Sequence, residues 1–180
     1  MFMENSYALI TGASSGIGLE ISNLLAEKGF NLVLTARRED KLREQAQKIS
    51  DKYKVNVDFI SSDLSDERAP KDIYDFCEQK NYEVDILVNN AGYGIKTPFH
   101  VTSMEDEEKF IRVLGTSVIA LSKIFIPKML DRGNGKIMIV TSVAAFAPPS
   151  AIQALYGPIK TFMNRFSESL NINYNAKGIT

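Results

Sequence analysis

Tyr156 and Lys160 stand four residues apart in the run Tyr156-Gly157-Pro158-Ile159-Lys160. On a helix that spacing projects both side chains from one face, about one turn apart. A phenol beside an ammonium is a proton-handling pair. The cation stabilises a phenolate and in general lowers a phenol's pKa by about one to three units, toward the range where it can exchange a proton with an alkoxide. Pro158 is compatible with such a helix if it lies in the first turn, where a missing N–H has no partner to lose. Upstream, Ile139-Val140-Thr141-Ser142 ends in a hydroxyl that either polarises a carbonyl oxygen or bonds local backbone at a strand end.

A second group of residues points to a phosphate. Tyr7-Ala8-Leu9-Ile10-Thr11 reads as a buried strand, and Gly12-Ala13-Ser14-Ser15-Gly16-Ile17-Gly18 follows it before helical periodicity begins. Gly12 allows a tight turn, Gly16 lets the backbone approach a pyrophosphate with no Cβ in the way, and Gly18 permits close helix–strand packing. The helix start adds unpaired N–H groups and partial positive charge. At the end of the second strand, Leu34-Thr35-Ala36-Arg37-Arg38 has Ala36 where an acid would hold a ribose 2′-hydroxyl. Arg37 follows with a guanidinium suited to a phosphate dianion, while Arg38 either joins it or starts the next helix in solvent. The expected cofactor is NADP (NADPH) rather than NAD.

Elements must hold these groups in place. Short apolar runs alternate with segments of helical period, the pattern of a parallel sheet covered on both faces. Strands are expected at Tyr7–Thr11, Asn31–Ala36, Val55–Ser61, Val84–Asn89 and Lys136–Ser142. Gly16–Lys28 places Ile17, Ile21, Leu24 and Leu25 on one face, and Arg38–Tyr53 does the same with Leu42, Ala46, Ile49 and Tyr53. Ser65-Asp66-Glu67 opens a helix carrying Ile73 and Phe76. Ser103–Leu130 and Tyr156–Tyr174 are long helices whose apolar residues exceed what one sheet face needs. That surplus means either a helix-mediated homodimer or deeper burial within one chain.

Taken together, Thr11-Gly12-Ala13-Ser14-Ser15-Gly16-Ile17-Gly18, Asn89-Asn90-Ala91-Gly92 and Tyr156-x-x-x-Lys160, in that order, resemble the short-chain dehydrogenase/reductase family. The resemblance implies a Rossmann-like α/β fold, a doubly wound parallel sheet of strand order 3-2-1-4-5 in a single domain over residues 1–180. It implies hydride transfer between NADPH and a carbonyl or alcohol, with Ser142 fixing the carbonyl, Tyr156 donating the proton, and Lys160 holding Tyr156 and the nicotinamide ribose. Cofactor contacts would come from Gly12, Ser14, Ser15, Gly16, Ile17, Gly18, Arg37 and Arg38. Asp63 would accept from the adenine amino group beside Leu64, and Asn90, Ala91 and Gly92 would line the adenosine ribose. Read alone, Asp63 is also a helix-start carboxylate and the asparagines a turn.

Two departures stand out. The family's asparagine in the long helix falls on Leu114 counting back from Phe125-Ile126-Pro127, or on Arg112 aligning on Gly115, which predicts slowed proton exchange. The chain ends at Lys177-Gly178-Ile179-Thr180, where a sixth strand is expected to begin, so the family's last strands would be lacking and the fifth would be an open edge. The alternatives to an active reductase are therefore an impaired nucleotide-binding protein and a dimerisation partner for a full-length homologue.

The remaining composition is that of one soluble domain. It has 180 residues, 44% hydrophobic and 24% charged, with a net charge of −1. No basic stripe argues for nucleic acid, no run of about 18 apolar residues for a membrane, and no metal is expected. Met1-Phe2-Met3-Glu4-Asn5-Ser6 lacks a basic leader and an apolar run, so a cytoplasmic location is expected. Cys77 lies at helical spacing from Ile73 and reads as core, and His100 reads as a surface loop residue. Tyr93, Ile95 and Phe146 make the expected substrate side partly apolar.

Overall fold

Five runs rich in valine, isoleucine and leucine pair as one parallel sheet: β1 (Ser6–Thr11), β2 (Asn31–Ala36), β3 (Val57–Ser61), β4 (Glu83–Asn89) and β5 (Lys136–Ile139). The computed structural model of the chain describes residues 6–148 and 154–180, so residues 1–5 of the stretch read for a leader lie outside the described residues. Strand order is β3-β2-β1-β4-β5, as expected. Leu9 of β1 pairs with Val33 on one side and Leu87 on the other. Every residue of β1 is buried, which is why its sequence runs apolar instead of alternating.

Side chains alternate between two cores. One sets Ala8, Ile10, Leu32 and Leu34 against α1 (Gly16–Glu27) and α2 (Glu39–Tyr53). The other sets Leu9, Val33 and Leu87 against α3 (Ala69–Gln79), α4 (Met104–Ile111) and α5 (Ser117–Arg132), with α6 (Tyr156–Tyr174) packed on it. The order reverses between β1 and β4, and in such sheets ligands lie at the carboxyl ends of the strands flanking the reversal. Both the glycine turn after β1 and the Asn-Asn-Ala-Gly turn after β4 are at that end.

The structure differs from the sequence expectation at several boundaries. β3 begins at Val57 rather than Val55 because α2 ends in Lys54 at φ 59, a left-handed cap whose N–H returns to Ser50 O. α3 begins at Ala69 rather than Ser65, because the Asp63 and Asp66 carboxylates accept from the N–H groups of Ser65 and Arg68 and close two turns first. β5 stops at Ile139 rather than Ser142. Its partner β4 has ended at Asn89, and only Val140 N–H to Asn89 O, at 2.9 Å, extends the ladder.

The face of α1 also differs. Gly18, Ser22 and Ala26 are its buried residues; of the expected face, Ile21 and Leu25 pack half-buried on the core, whereas Ile17 and Leu24 are 63% and 55% exposed. Three small residues at four-residue intervals let the helix backbone sit close on the sheet, with Leu19, Ile21 and Leu25 packing beside them and Ile17 and Leu24 turned outward.

The long helix of 29 residues, Met104–Arg132, is interrupted by a wide π turn at Arg112–Thr116 between α4 and α5. By length and composition it is apolar enough to cross a membrane, contrary to the sequence reading. Its Phe110, Leu114, Leu121, Phe125 and Met129 are instead buried against the sheet. Beyond α6, Ile179 forms a parallel bridge with Gly135, and Ile137 N–H donates to Thr180 O at 2.8 Å.

Candidate active site

The glycine turn is built by its backbone. Gly12 and Gly16 have φ of +69° and +59°, a region that costs residues with a Cβ. A Cβ on Gly12 would lie 2.8 Å from Asn90 Nδ2, and one on Gly18 would lie 2.5 Å from both that atom and Gly12 O. A Cβ on Gly16 would meet nothing within 4 Å, so this glycine borders open space. Gly18 thus serves packing, while Gly12 and Gly16 line the groove.

Thr11, which the sequence reading passed over, ties this turn to the next strand. Its Oγ1 donates to Val88 O and accepts from the N–H groups of Asn90 and Ala91 at 2.9 and 3.0 Å. Asn90 Nδ2 returns to Thr11 O at 2.8 Å. The asparagine turn and the glycine turn are one hydrogen-bonded unit, and a hydroxyl at the last position of β1 was the available signal.

Two cavities meet over this unit. The first, about 210 Å³, is bounded by Ser14, Ala36, Arg37, Arg38, Asp63 and Leu64, among others. Arg38 is not a bystander there: its guanidinium donates to both Ser14 Oγ and Ser15 Oγ at 3.1 Å. Arg37 borders the same cavity, and its carbonyl accepts from Ser61 Oγ. The second cavity, about 580 Å³, brings Ser15, Gly16, Ile17 and Asn90 together with Tyr156 and Lys160. Ala91, Gly92 and Tyr93 border both. The Tyr93 ring packs edge-on to Phe110 at 5.2 Å, and burial raises its phenol pKa while Arg37 draws it down.

These residues fit a dinucleotide phosphate. A cradle bordered by Gly12 and Gly16, a helix start behind it, and one guanidinium with two hydroxyls form a donor set for phosphate oxygens, with no acid at Ala36 to oppose them.

Tyr156 is the first residue of α6, so Pro158 falls in its first turn as expected. Lys160 is 6% exposed, with its Nζ 5.8 Å from the Tyr156 ring centroid and donating to Val140 O at 2.8 Å. Burial lowers its pKa from the usual lysine value. The start of α6 is fixed by Thr161 Oγ1 donating to Ala145 O. Ser142 does not border either cavity. Its Oγ accepts from Ala144 N–H and caps the short turn Val143–Ala145, the local-backbone role left open by the sequence.

In the long helix, Leu114 is 1% exposed within the core and Arg112 is half-buried, and neither borders the two cavities. His100 is exposed in a loop. Cys77 is buried, with its thiol pushed up to about 12 by desolvation.

Comparisons with known proteins agree with this arrangement. A family model described as short chain dehydrogenase matches residues 6–180. Very-long-chain 3-oxoacyl-CoA reductase-B of Danio rerio is 34% identical over 179 residues, 96% of this chain and 56% of the relative. The Homo sapiens protein named inactive hydroxysteroid dehydrogenase-like protein 1 is 33% identical over 178 residues, 96% of this chain and 52% of the relative. A short-chain dehydrogenase from Sphingobium yanoikuyae, solved in complex with NADPH, superposes with a TM-score of 0.90 at 31% identity, covering 97% of this chain and 68% of that one. The chain spans about half the length of these two relatives. With the parallel sheet, the glycine cradle and the Tyr156–Lys160 pair on one groove, the chain belongs to the short-chain dehydrogenase family.

Proposed function

We propose that the chain is an oxidoreductase that prefers NADP and moves a hydride between NADPH and the carbonyl or alcohol of a small molecule. The observation that carries the cofactor preference is Arg38 held on Ser14 and Ser15, beside Ala36 where an NAD-preferring site would keep an acid. When bound, the reduced nicotinamide supplies the hydride. Tyr156 donates a proton to the oxygen left by reduction of the carbonyl, and Lys160 gives its phenolate a cationic neighbour. The relatives named as 3-oxoacyl-CoA reductases make a 3-oxoacyl thioester one carbonyl to include in a substrate panel.

A second reading, cofactor binding without turnover, draws on the lack of an asparagine at either position where the family's relay residue could fall, Leu114 or Arg112, and on Ser142 engaged by Ala144 N–H. One set of measurements separates the two. NADPH should bind more tightly than NADH, and Arg38→Ala should weaken NADPH by about ten- to a hundredfold with little effect on NADH. Tyr156→Phe should keep NADPH affinity and cut turnover by at least about a hundredfold. Equal affinity for the two nucleotides defeats the NADP preference, and binding without reduction of any carbonyl in the panel leaves the second reading.

A further inference from the structure

α4 turns two residues into the interior, Phe110 and Glu107. Phe110 belongs to the core. Glu107, three residues earlier on the same face, is only 6% exposed, and burying an acidic side chain is far more costly than burying the apolar residue that the helical period asks for. Among the described residues no cation forms an ion pair with it, and neighbouring Lys109 is engaged by Glu105 at 2.6 Å. Nor does it cap the helix, because Ser103 Oγ accepts from Asp106 N–H at that end. Its Oε1 accepts from Thr102 Oγ1 at 2.5 Å.

In front of Glu107 is a recess bounded by Ile95, Thr97, Phe99, Phe110, Leu155 and Tyr156. It holds about 10 Å³, close to the room that one water-sized group needs. It shares Tyr156 with the large cavity and contains none of the glycine-turn residues. The recess therefore opens beside the proton donor and away from the phosphate cradle. A recess of hydroxyl size, whose walls mix apolar side chains with Thr97, Tyr156 and a carboxyl group, selects by chemistry: it suits a small hydrogen-bond donor and opposes an anion.

We propose that Glu107 is a specificity-determining residue, accepting a hydrogen bond from a hydroxyl or amino group near the reacting carbonyl and turning away carbonyl compounds that present a negative charge there. This rests on the reading of the chain as a carbonyl reductase. The test uses three matched ketones: a plain neutral one, its hydroxyl-bearing analogue and its carboxylate-bearing analogue. Reduction by NADPH and binding to the NADP-loaded protein are both measured.

The wild type should favour the hydroxyketone over the plain ketone by about tenfold in kcat/KM and in Kd, and should use the ketoacid least. Glu107→Leu should erase the hydroxyl preference. Glu107→Gln, which keeps an acceptor oxygen without the acidic group, should retain most of that preference and improve the ketoacid by about tenfold. Thr102→Val, which removes the Oγ1 hydrogen bonds to Glu107 and to Phe99 O but leaves the carboxyl group in the recess wall, should leave both ratios close to those of the wild type. The proposal is overturned if the wild type shows no hydroxyl preference, if the Glu107 variants do not move the ratios, or if Thr102→Val moves them as much. A binding preference that follows Glu107 in the absence of any turnover upholds the recognition and defeats the reductase reading instead.

Discussion

Lys160 sits where burial penalises its charge, within reach of one backbone carbonyl. Its folded pKa is lowered relative to the unfolded chain, so between those two values the unfolded state binds more protons and stability rises with pH. Below that window both states are protonated and the full cost is present. Lys160→Met should therefore be more stable than the wild type near neutral pH, with the gap narrowing as pH climbs toward about 10.4, the ordinary lysine value. Chemical denaturation of both proteins across that range reads this out; a gap that is constant with pH defeats the argument. Tyr156 and Lys160 were legible in the sequence because one helical turn fixes their relation. Ser142 was less legible: it was expected at the end of β5, which stops at Ile139, and the Ala144 N–H that engages it depends on a short turn with no periodic signature. Glu107 left a signal of its own, an acid on an apolar helical face, which has meaning only once Tyr156 is known to lie opposite.

At the scale of elements, the glycine turn separates packing from binding. Gly18→Ala brings a Cβ to 2.5 Å from Gly12 O and Asn90 Nδ2, and should cost about 1–3 kcal/mol of stability. Gly16→Ala meets open space and bears mainly the strain of its positive φ, about 1 kcal/mol, while its methyl group narrows the groove. Thermal melts with and without NADPH should show Gly18→Ala melting lower in both conditions. Gly16→Ala should melt nearer the wild type alone and lose most of the NADPH-induced gain. An undiminished gain in Gly16→Ala would mean that this glycine does not border the cofactor. Strand and helix positions were readable because buried parallel strands and amphipathic helices write different periods, whereas the strand order was implied only by the family resemblance of the motifs. The inward face of α1 was not, since a stripe of Gly18, Ser22 and Ala26 carries no hydrophobic signal although it is what approaches the sheet. The π turn inside the long helix was equally silent, because apolar residues continue through it.

For the whole molecule, α5 and α6 resolve the surplus of apolar residues in different ways. α5 buries seven residues, from Ser117 to Met129, which is deep burial within one chain. α6 buries only Lys160 and Met163 and leaves Phe162 53% and Ile172 82% exposed, with Phe162 stacked on Phe166. We infer that α6 offers the face for a homodimer. Sedimentation of the wild type should show a dimer that Phe162→Glu weakens by at least about tenfold, and a monomeric wild type would rule the interface out. The floor of the groove has a further consequence. Thr11 and Asn90 weld the glycine turn to the exit of β4, whereas the far side of the groove and the recess beside it are walled by separate stretches, 93–99 and 140–141. Mutation can therefore redraw those walls without disturbing the grip on the nucleotide, and a lineage built this way can diversify its chemistry while inheriting its coenzyme intact.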